Sequence, residues 1–418
     1  MDKTQNSCKR VIGFDSHPDS FTAAIILGET PAGAVVDKVY NKIPNAHLQR
    51  WVKKNTTPND LFVMEASGNS FQMVRDLEKL GREAKVLESC YLGKLKEAHC
   101  NNDKLSAIRI GKAYLAGTAK IVWVPDPKTQ ERRDWFLAYQ KAVKHSVQHK
   151  NSLLSYLSDN GVRLDNTDAV LAPKADEILR QIRQWTPRQW QVIELKLAEL
   201  RHATEQRQRW DSLLAQEVLN DSLLLSLVRL CGIRHKVAFA LGAIIGDITR
   251  FPNPKKLVKY AGLNPAMDES GEGQWSGGIG GHGRKDLRSL LLESAHSIFN
   301  SSHPLAKWGR KLDARKGGAH NLAAAAVARK LLVAVWYLMM GRWTPLLEND
   351  IDARLSQKIG KIITSAGISN LKATGTTRKE MREQAIQRLA HGRAYLLDWS
   401  KKYIPKPKKG LAAEYGIA

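Results

Sequence analysis

Residues 10–115 constrain the fold most, because short apolar runs recur there between polar turns and helical patterns. RVIGFDSHPDSFTAAIILGET reads as a strand, a polar turn and a second strand, and GAVVDKVYNKI adds a third β-rich run. NAHLQRWVKK has a helical pattern, DLFVMEA is a short apolar strand, and NSFQMVRDLEKLG is an amphipathic helix ending at Gly81. EAKVLES is a further strand, followed by helical sequence through Leu115. Three early strands followed by alternating helix and strand predict an α/β domain with a mixed sheet.

The pattern changes at about Lys128. From there to Glu217 glycine nearly vanishes, and RQWQVIELKLAELRHATEQRQRWDSLLAQE carries a helical period too long for a simple helix-turn element. A helical arm or coiled coil that dimerises is expected, with a plain helical subdomain as the alternative. Residues 221–310 begin as short helices separated by glycine turns, then reach the glycine-dense ESGEGQWSGGIGGHG, expected as a loop, with helix resuming by Asp286. NLAAAAVARKLLVAVWYLMM reads as a buried helix, since its longest apolar run, Leu331 to Met340, is too short to span a bilayer. The end of the chain is polar and basic, and KKYIPKPKKG is read as trailing along a phosphate backbone or as a solvated tail.

Composition adds a partner class. Lys and Arg total 65 against 41 Asp and Glu, a formal charge of +24 over 418 residues, and such a chain favours a polyanion, most commonly nucleic acid. The four cysteines, Cys8, Cys90, Cys100 and Cys231, form no C-x-x-C pair, which argues against a zinc site or disulfide framework and fits a reducing compartment. The first residues lack the apolar core of a signal peptide.

Asp15 ends the first strand, Glu65 ends the strand LFVME, and Asp103 precedes the helical run SAIRIGKAYLAG. Carboxylates at the ends of neighbouring strands, with one on a helix crossing the sheet, can converge on divalent metal, and hard oxygen ligands suit magnesium. Turn and helix-cap roles explain the same residues one by one. Ser270, followed by Gly271 in the glycine-rich segment, can approach a phosphate closely, with Arg284, Lys285 and Arg288 near in sequence to neutralise it. On these grounds Ser276 competes with it, and an incidental surface serine explains either.

Together these segments resemble the DEDD-type insertion-sequence transposases, relatives of the Piv DNA invertases (insertion-sequence family 110, particularly its group 1111). The resemblance runs over roughly residues 10 to 345. VIGFDSH is similar to the family's first-aspartate strand, VMEASGNSFQMVRDLEKLG to its glutamate strand and following helix, and NNDKLSAIRIGKA to its helix beginning N-D-x-x-D-A. LCGIRHKVAFALGAIIGDITRFPNPKKLVKYAGLNP and SGEGQWSGGIGGHGRKDLRSLLLESA resemble its C-terminal transposase domain. The resemblance implies a multidomain α/β plus α chain. Residues 1–125 would be an RNase-H-like (RuvC-like) catalytic domain and 126–218 a helical or coiled-coil arm. Residues 219–345 would be a mostly α transposase domain, and 346–418 a basic extension.

By the same resemblance, Asp15, Glu65 and Asp103 match the first three acidic ligands for Mg2+. Ser270 matches the nucleophile that forms a covalent serine–DNA intermediate, and Ser276 falls where the family does not require serine. Donor and target DNA, a non-coding bridge RNA acting as guide, and a homodimer or dimer of dimers with composite sites are implied, with no membrane partner. A bacterial, cytoplasmic and nucleoid-associated location follows. Arg234, Lys255, Lys256, Arg284, Lys285 and Arg288 are the candidate nucleic-acid contacts.

Two departures stand out. The family's fourth acid falls at Ser106, three residues after Asp103, and a neutral hydroxyl is a poor magnesium ligand. Divergence with one metal or a water in place of the acid, a silencing substitution and a domesticated inactive copy all fit. Asp19, Glu97 and His99 are the possible substitutes. Ser106→Asp is expected to raise magnesium-dependent strand exchange, and unchanged activity would place the role on another residue. The second departure is at CGIRHKVA, where Arg234 and His235 replace the small residues of a phosphate-holding turn; His235 reads equally as a solvated turn residue, with no catalytic role. The rival functions are a metal-dependent junction-resolving nuclease and a catalytically impaired nucleic-acid-binding protein.

Overall fold

A computed structural model describes residues 10–89, 102–270, 273–279, 282–341, 351–367 and 379–385. The chain forms two compact units, Met1–Asp126 and Pro127–Ala418.

The first unit is a six-stranded mixed sheet with helices on both faces. Its strands are β1 (Val11–Ser16), β2 (Ser20–Leu27), β3 (Val35–Pro44), β4 (Leu61–Glu65), β5 (Glu83–Leu87) and β6 (Ile121–Val122), in the order β3-β2-β1-β4-β5-β6. β1, β4 and β5 are parallel, whereas β2, β3 and β6 run antiparallel to their neighbours. Successive strand residues point to opposite faces. Ile12, Phe14, Phe62 and Met64 therefore pack beneath helices α1 (Leu48–Asn55) and α2 (Ser70–Lys79), against Trp51, Val52, Val74 and Leu77. Val11, Leu61, Val63 and Leu87 line the other face beneath α3 (Asp103–Leu115), against Ile110 and Ala113. Both faces are covered, so the central strands are apolar throughout, as in VIGF and LFVM.

Gly13 lies on the α3 face and sets how closely that helix crosses β1. A Cβ there would overlap the carbonyl oxygen of Ala107 and stand 3.0 Å from the Gly111 nitrogen. Asn102 starts α3, its Oδ1 accepting from the Leu105 amide at 2.9 Å, an Asn N-cap that orients the helix end carrying Asp103.

The second unit is predominantly helical. Its longest helices, α4 (Pro127–Asp159) and α6 (Pro187–Asn220), lie side by side, with α5 (Ala175–Ile182) near one end. Leu153 and Leu157 of α4 bury against Trp190, Ile193, Leu197 and Leu200 of α6. A capping box starts α6, where Thr186 and Gln189 satisfy each other's backbone amides and Pro187 takes the first turn. Short helices α7 (Ser222–Leu227), α8 (His235–Ile245) and α9 (Pro254–Tyr260) follow, with glycine turns at positive φ at Gly232, Gly246 and Gly262. Beyond them lie a two-stranded antiparallel sheet, β7 (Pro265–Ser270) and β8 (Gly273–Ile279), and helices α10 (Lys285–Phe299), α11 (Pro304–Arg315), α12 (His320–Met339) and α13 (Ile351–Ser365).

Within the segment expected as a glycine-dense loop, residues 269–270 and 273–279 are thus part of a β-ladder. Met267, Trp275 and Ile279 supply strand propensity that outweighs the cost of Gly273, Gly277 and Gly278 within β8. Among the described residues α12 alone is long and apolar enough to cross a membrane by length and composition, yet 67% of its apolar window is buried within the unit. Its alanines let neighbouring helices approach closely, and Ala323, Ala324, Leu331, Leu332 and Val335 are core.

Lys358 of α13 ties the turn before α8 to this core. Its Nζ donates to the carbonyls of Val228 and Leu230 at 2.9 Å and of Ile233 at 3.3 Å, and burial pushes its pKa down to about 8. The unfolded chain, with the ordinary value of 10.5, holds that proton over a window where the folded chain has released it. Stability linked to Lys358 therefore rises with pH from about 8 to 10.5. Between pH 7.5 and 9.5 the native chain should gain about 1–2 kcal/mol relative to Lys358→Met in denaturant titrations. Parallel pH profiles would contradict this.

Candidate functional site

In the first unit the chemistry gathers where β1, β4 and α3 meet. Phe14 pairs with Met64 across the parallel β1–β4 ladder, so Asp15 and Glu65, one residue further on, share the α3 face of adjacent strands. Asp103 is the first residue of α3. His17, two residues past Asp15, places its Nε2 3.7 Å from Asp15 Oδ2 and 3.7 Å from Asp103 Oδ1. Asp15, His17 and Asp103 each offer a ligand atom within 4.8 Å of the others. Glu65, on the neighbouring strand, is not one of this closest trio.

The turn carrying His17 is held by its backbone. The His17 carbonyl accepts from Asn45 Nδ2 at 3.1 Å and Asn69 Nδ2 at 2.8 Å, and its amide donates to the Ser20 carbonyl at 2.8 Å. The imidazole Nε2 is shielded from solvent yet has no hydrogen-bond partner. Buried polar atoms are normally paired, so an unpaired nitrogen between two carboxylates marks a place suited to a cation. A divalent ion fits this donor set of two carboxylates and an imidazole, with Glu65 beside it.

Ser106 lies one turn along α3, half-buried, where it offers no charge. Of the substitutes considered for it, Asp19 is exposed in the β1–β2 turn, and Glu97 and His99 lie outside the described residues. His17 escaped sequence reasoning because S-H-P-D looks like ordinary turn sequence. The signal was the D-x-H spacing, which puts both side chains on one side of a strand.

In the second unit Ser270 is the last residue of β7 and pairs with Gly273, whereas Ser276 lies within β8 opposite Met267. The stem of this sheet is clamped by glycines. Gly283 at φ +95° would place a Cβ 2.6 Å from the Gly262 nitrogen, and a Cβ on Gly262, at φ +69°, would overlap the His282 carbonyl oxygen. The Arg284 amide donates to the Tyr260 carbonyl at 2.8 Å, closing the stem. Gly262→Ala combines a left-handed backbone with that overlap, so it should lose at least about 2 kcal/mol in chemical denaturation. A loss under half that would show that the stem relaxes freely.

Beside the stem, a groove of about 890 Å3 is lined by Lys144, Arg234, Lys236, Arg284, Lys285 and Asp286, among others. It brings together three of the six basic residues singled out from sequence and adds Lys144 and Lys236. Lys285 begins α10 and is exposed. Arg284 is bound to Asp286 through Nε at 3.0 Å and Nη2 at 2.6 Å. Burial works against the Asp286 charge, but the Arg284 guanidinium outweighs it and holds this carboxyl below its usual range. Arg288 Nη1 donates to the His282 carbonyl at 3.0 Å and so supports the stem, while Lys255 and Lys256 are exposed on the first turn of α9.

His235 is no solvated turn residue. It is 7% exposed, and its Nε2 lies 2.9 Å from Asp211 Oδ1 of α6. Burial opposes the Asp211 charge, and the His235 and Lys236 contacts overcome that to lower its pKa.

The first unit thus carries a carboxylate–histidine cluster on a mixed sheet, and the second a groove with basic side chains beside a glycine-clamped strand pair. Residues 226–308, which include Ser270 and most of the groove, match the family described as transposase IS116/IS110/IS902. The chain is similar to y4qE of Sinorhizobium fredii, 25% identical over 258 residues that make up 60% of this chain and 62% of the relative. It is 22% identical to the transposase for insertion sequence element IS1111A of Coxiella burnetii, over 66% of this chain and 77% of the relative. It is 34% identical to the pilin gene-inverting protein of Moraxella lacunata over 107 residues, 25% of this chain and 33% of the relative. The chain thus spans 62% of the length of y4qE, 77% of the IS1111A transposase and a third of the gene-inverting protein.

Proposed function

We propose that this chain is a transposase or site-specific DNA recombinase whose two units supply a metal-assisted acidic site and a serine nucleophile. The observation that carries the reading is the family domain at 226–308, which contains Ser270, in one chain with the Asp15–His17–Asp103 cluster. Relatives named as a transposase and as a gene-inverting protein both rearrange DNA by name, and the +24 charge suits that substrate.

Ser270 Oγ would attack a DNA phosphorus, forming a serine–phosphate ester as the bond to one deoxyribose oxygen breaks. The departing oxygen takes a proton and leaves as a hydroxyl. A hydroxyl of the partner strand then attacks the same phosphorus, releasing Ser270 and joining the DNA with no net loss of phosphodiester energy. Asp15, Glu65 and Asp103 would hold Mg2+ or a similar ion, which supplies positive charge to the phosphoryl oxygens when bound. Lys144, Arg234, Lys236 and Lys285 would carry the backbone phosphates along the groove. In this reading the sheet of the first unit is an RNase-H-like, RuvC-like domain. A guide RNA and a dimer or dimer of dimers complete the assembly, since exchange between two duplexes needs more than one site.

The purified chain, given insertion-sequence ends, a target duplex and a divalent ion, should yield joined donor–target strands. Cleaved ends with no joined product would favour the metal-dependent nuclease, a reading that the self-contained cluster of the first unit supports. Neither product would favour the binding-only protein that Ser106 suggests. RNA co-purified with the chain and sequenced tests the guide separately, and a heterogeneous pool would remove it from the account.

A further inference from the structure

We infer that His17 is itself a metal ligand, taking over through nitrogen the coordination that Ser106 cannot provide, and that it shifts the site from magnesium toward manganese. The inference rests on the proposed metal centre and deepens it. Three observations carry it. First, the 3.7 Å separations from His17 Nε2 to Asp15 Oδ2 and to Asp103 Oδ1 exceed a hydrogen bond. They match instead the spacing of about 3–4 Å between two ligands of one ion whose bonds are about 2.1 Å long.

Second, Nε2 is shielded from solvent and lacks a hydrogen-bond donor or acceptor partner, although the ring as a whole is 44% exposed. A merely structural histidine so placed would be expected to bond one of the two carboxylates. Third, the turn is built to hold the ring: Asn45 and Asn69, from separate elements of the first unit, both donate to the His17 carbonyl. Contacts that fix the backbone on both sides of the turn limit where the ring can lie.

The chemistry follows from the donor set. Magnesium prefers a regular shell of oxygens, whereas first-row transition ions accept imidazole nitrogen readily. Replacing a carboxylate by imidazole at one position removes a negative charge and adds a softer donor. Both changes lower the site's advantage for magnesium and preserve it for manganese.

The competing role is that of a protonated His17 acting as an internal cation between the carboxylates. The two roles differ in sign. If His17 is a ligand, His17→Ala should weaken Mn2+ binding to the full chain by at least about 10-fold, read by electron paramagnetic resonance of free Mn2+, with a smaller change for Mg2+ in competition. If His17 is a competing cation, its removal should tighten both ions, and that result or an unchanged Mn2+ affinity would overturn the inference.

Pulsed resonance on the unmutated protein gives a measurement that needs no variant to fold. Bound Mn2+ should show a directly coordinated nitrogen, and an all-oxygen environment would overturn the assignment. Asp15→Asn separates the two levels. Loss of Mn2+ binding there, with His17→Ala unaffected, removes only the histidine, whereas no effect of Asp15→Asn removes the metal centre itself.

Discussion

Ser270→Ala is expected to lower DNA joining by at least about 1,000-fold, the scale on which loss of a covalent nucleophile acts in other enzymes. The alanine keeps the last residue of β7 and its pairing with Gly273, so the sheet and the groove beside its stem should persist. Ser276→Ala is the matched control, because it removes a hydroxyl from the paired strand at the position opposite Met267. It should retain joining within about 3-fold, a surface-scale effect below 1 kcal/mol. Joining activity read on a supercoiled donor and a labelled target duplex checks both. Comparable losses in the two variants would mean that the ladder as a whole matters and that neither hydroxyl is the nucleophile.

Gly13→Ala should cut metal-dependent DNA processing by about 100-fold, although it lies away from any reacting atom. The added Cβ would overlap the Ala107 carbonyl oxygen, a backbone atom of α3 that cannot rotate aside, so the helix must move. Asp103 heads that helix while Asp15 stays with β1, and a displacement of about 1 Å between paired catalytic groups is enough for a loss of this size. Overpacking should also cost about 1–3 kcal/mol of stability. Gly111→Ala is the informative comparison. Its Cβ would crowd Ile26 Cδ1, the end of a flexible side chain, and stand at an ordinary contact distance of 3.5 Å from Gly13 Cα, and alanine is the better helix former by about 1 kcal/mol. It should be close to neutral in stability and nearly fully active. Equal effects of the two substitutions in thermal unfolding and in activity would refute the close crossing as the device that sets the acidic site.

The strands of the first unit were legible in the sequence because both sheet faces are covered, which makes runs such as VIGF and LFVM continuously apolar. Asp15, Glu65 and Asp103 were legible as residues ending strands or starting a helix, and the β1–β4 register brings the first two side by side. His17 was legible only in part: the D-x-H spacing sets it beside Asp15, but its approach to Asp103 depends on a helix distant in sequence, a contact that no local pattern encodes. The serine strand reads as a loop because glycine counts weigh heavily in local reasoning, whereas the register of Met267 with Ser276 and of Asp268 with Trp275 is a contact between two elements that neither run shows by itself. His235 was unreadable for the same reason: its partner, Asp211, is on another helix. Lys144 and Lys236 belong to α4 and α8 and form one basic surface only when those helices pack. The choice of Ser270 over Ser276 came from family resemblance, with no contribution from spacing.

The central claim is a covalent serine–DNA linkage, and mass spectrometry of the protein–DNA adduct tests it most directly. A suicide donor, nicked so that the leaving strand diffuses away, would be incubated with the full chain and a divalent ion, then digested with protease and nuclease. The account expects a nucleotide on the peptide containing Ser270, absent from Ser270→Ala and from Asp15→Asn. A cleaved donor with no adduct, or an adduct on any other residue, would contradict it.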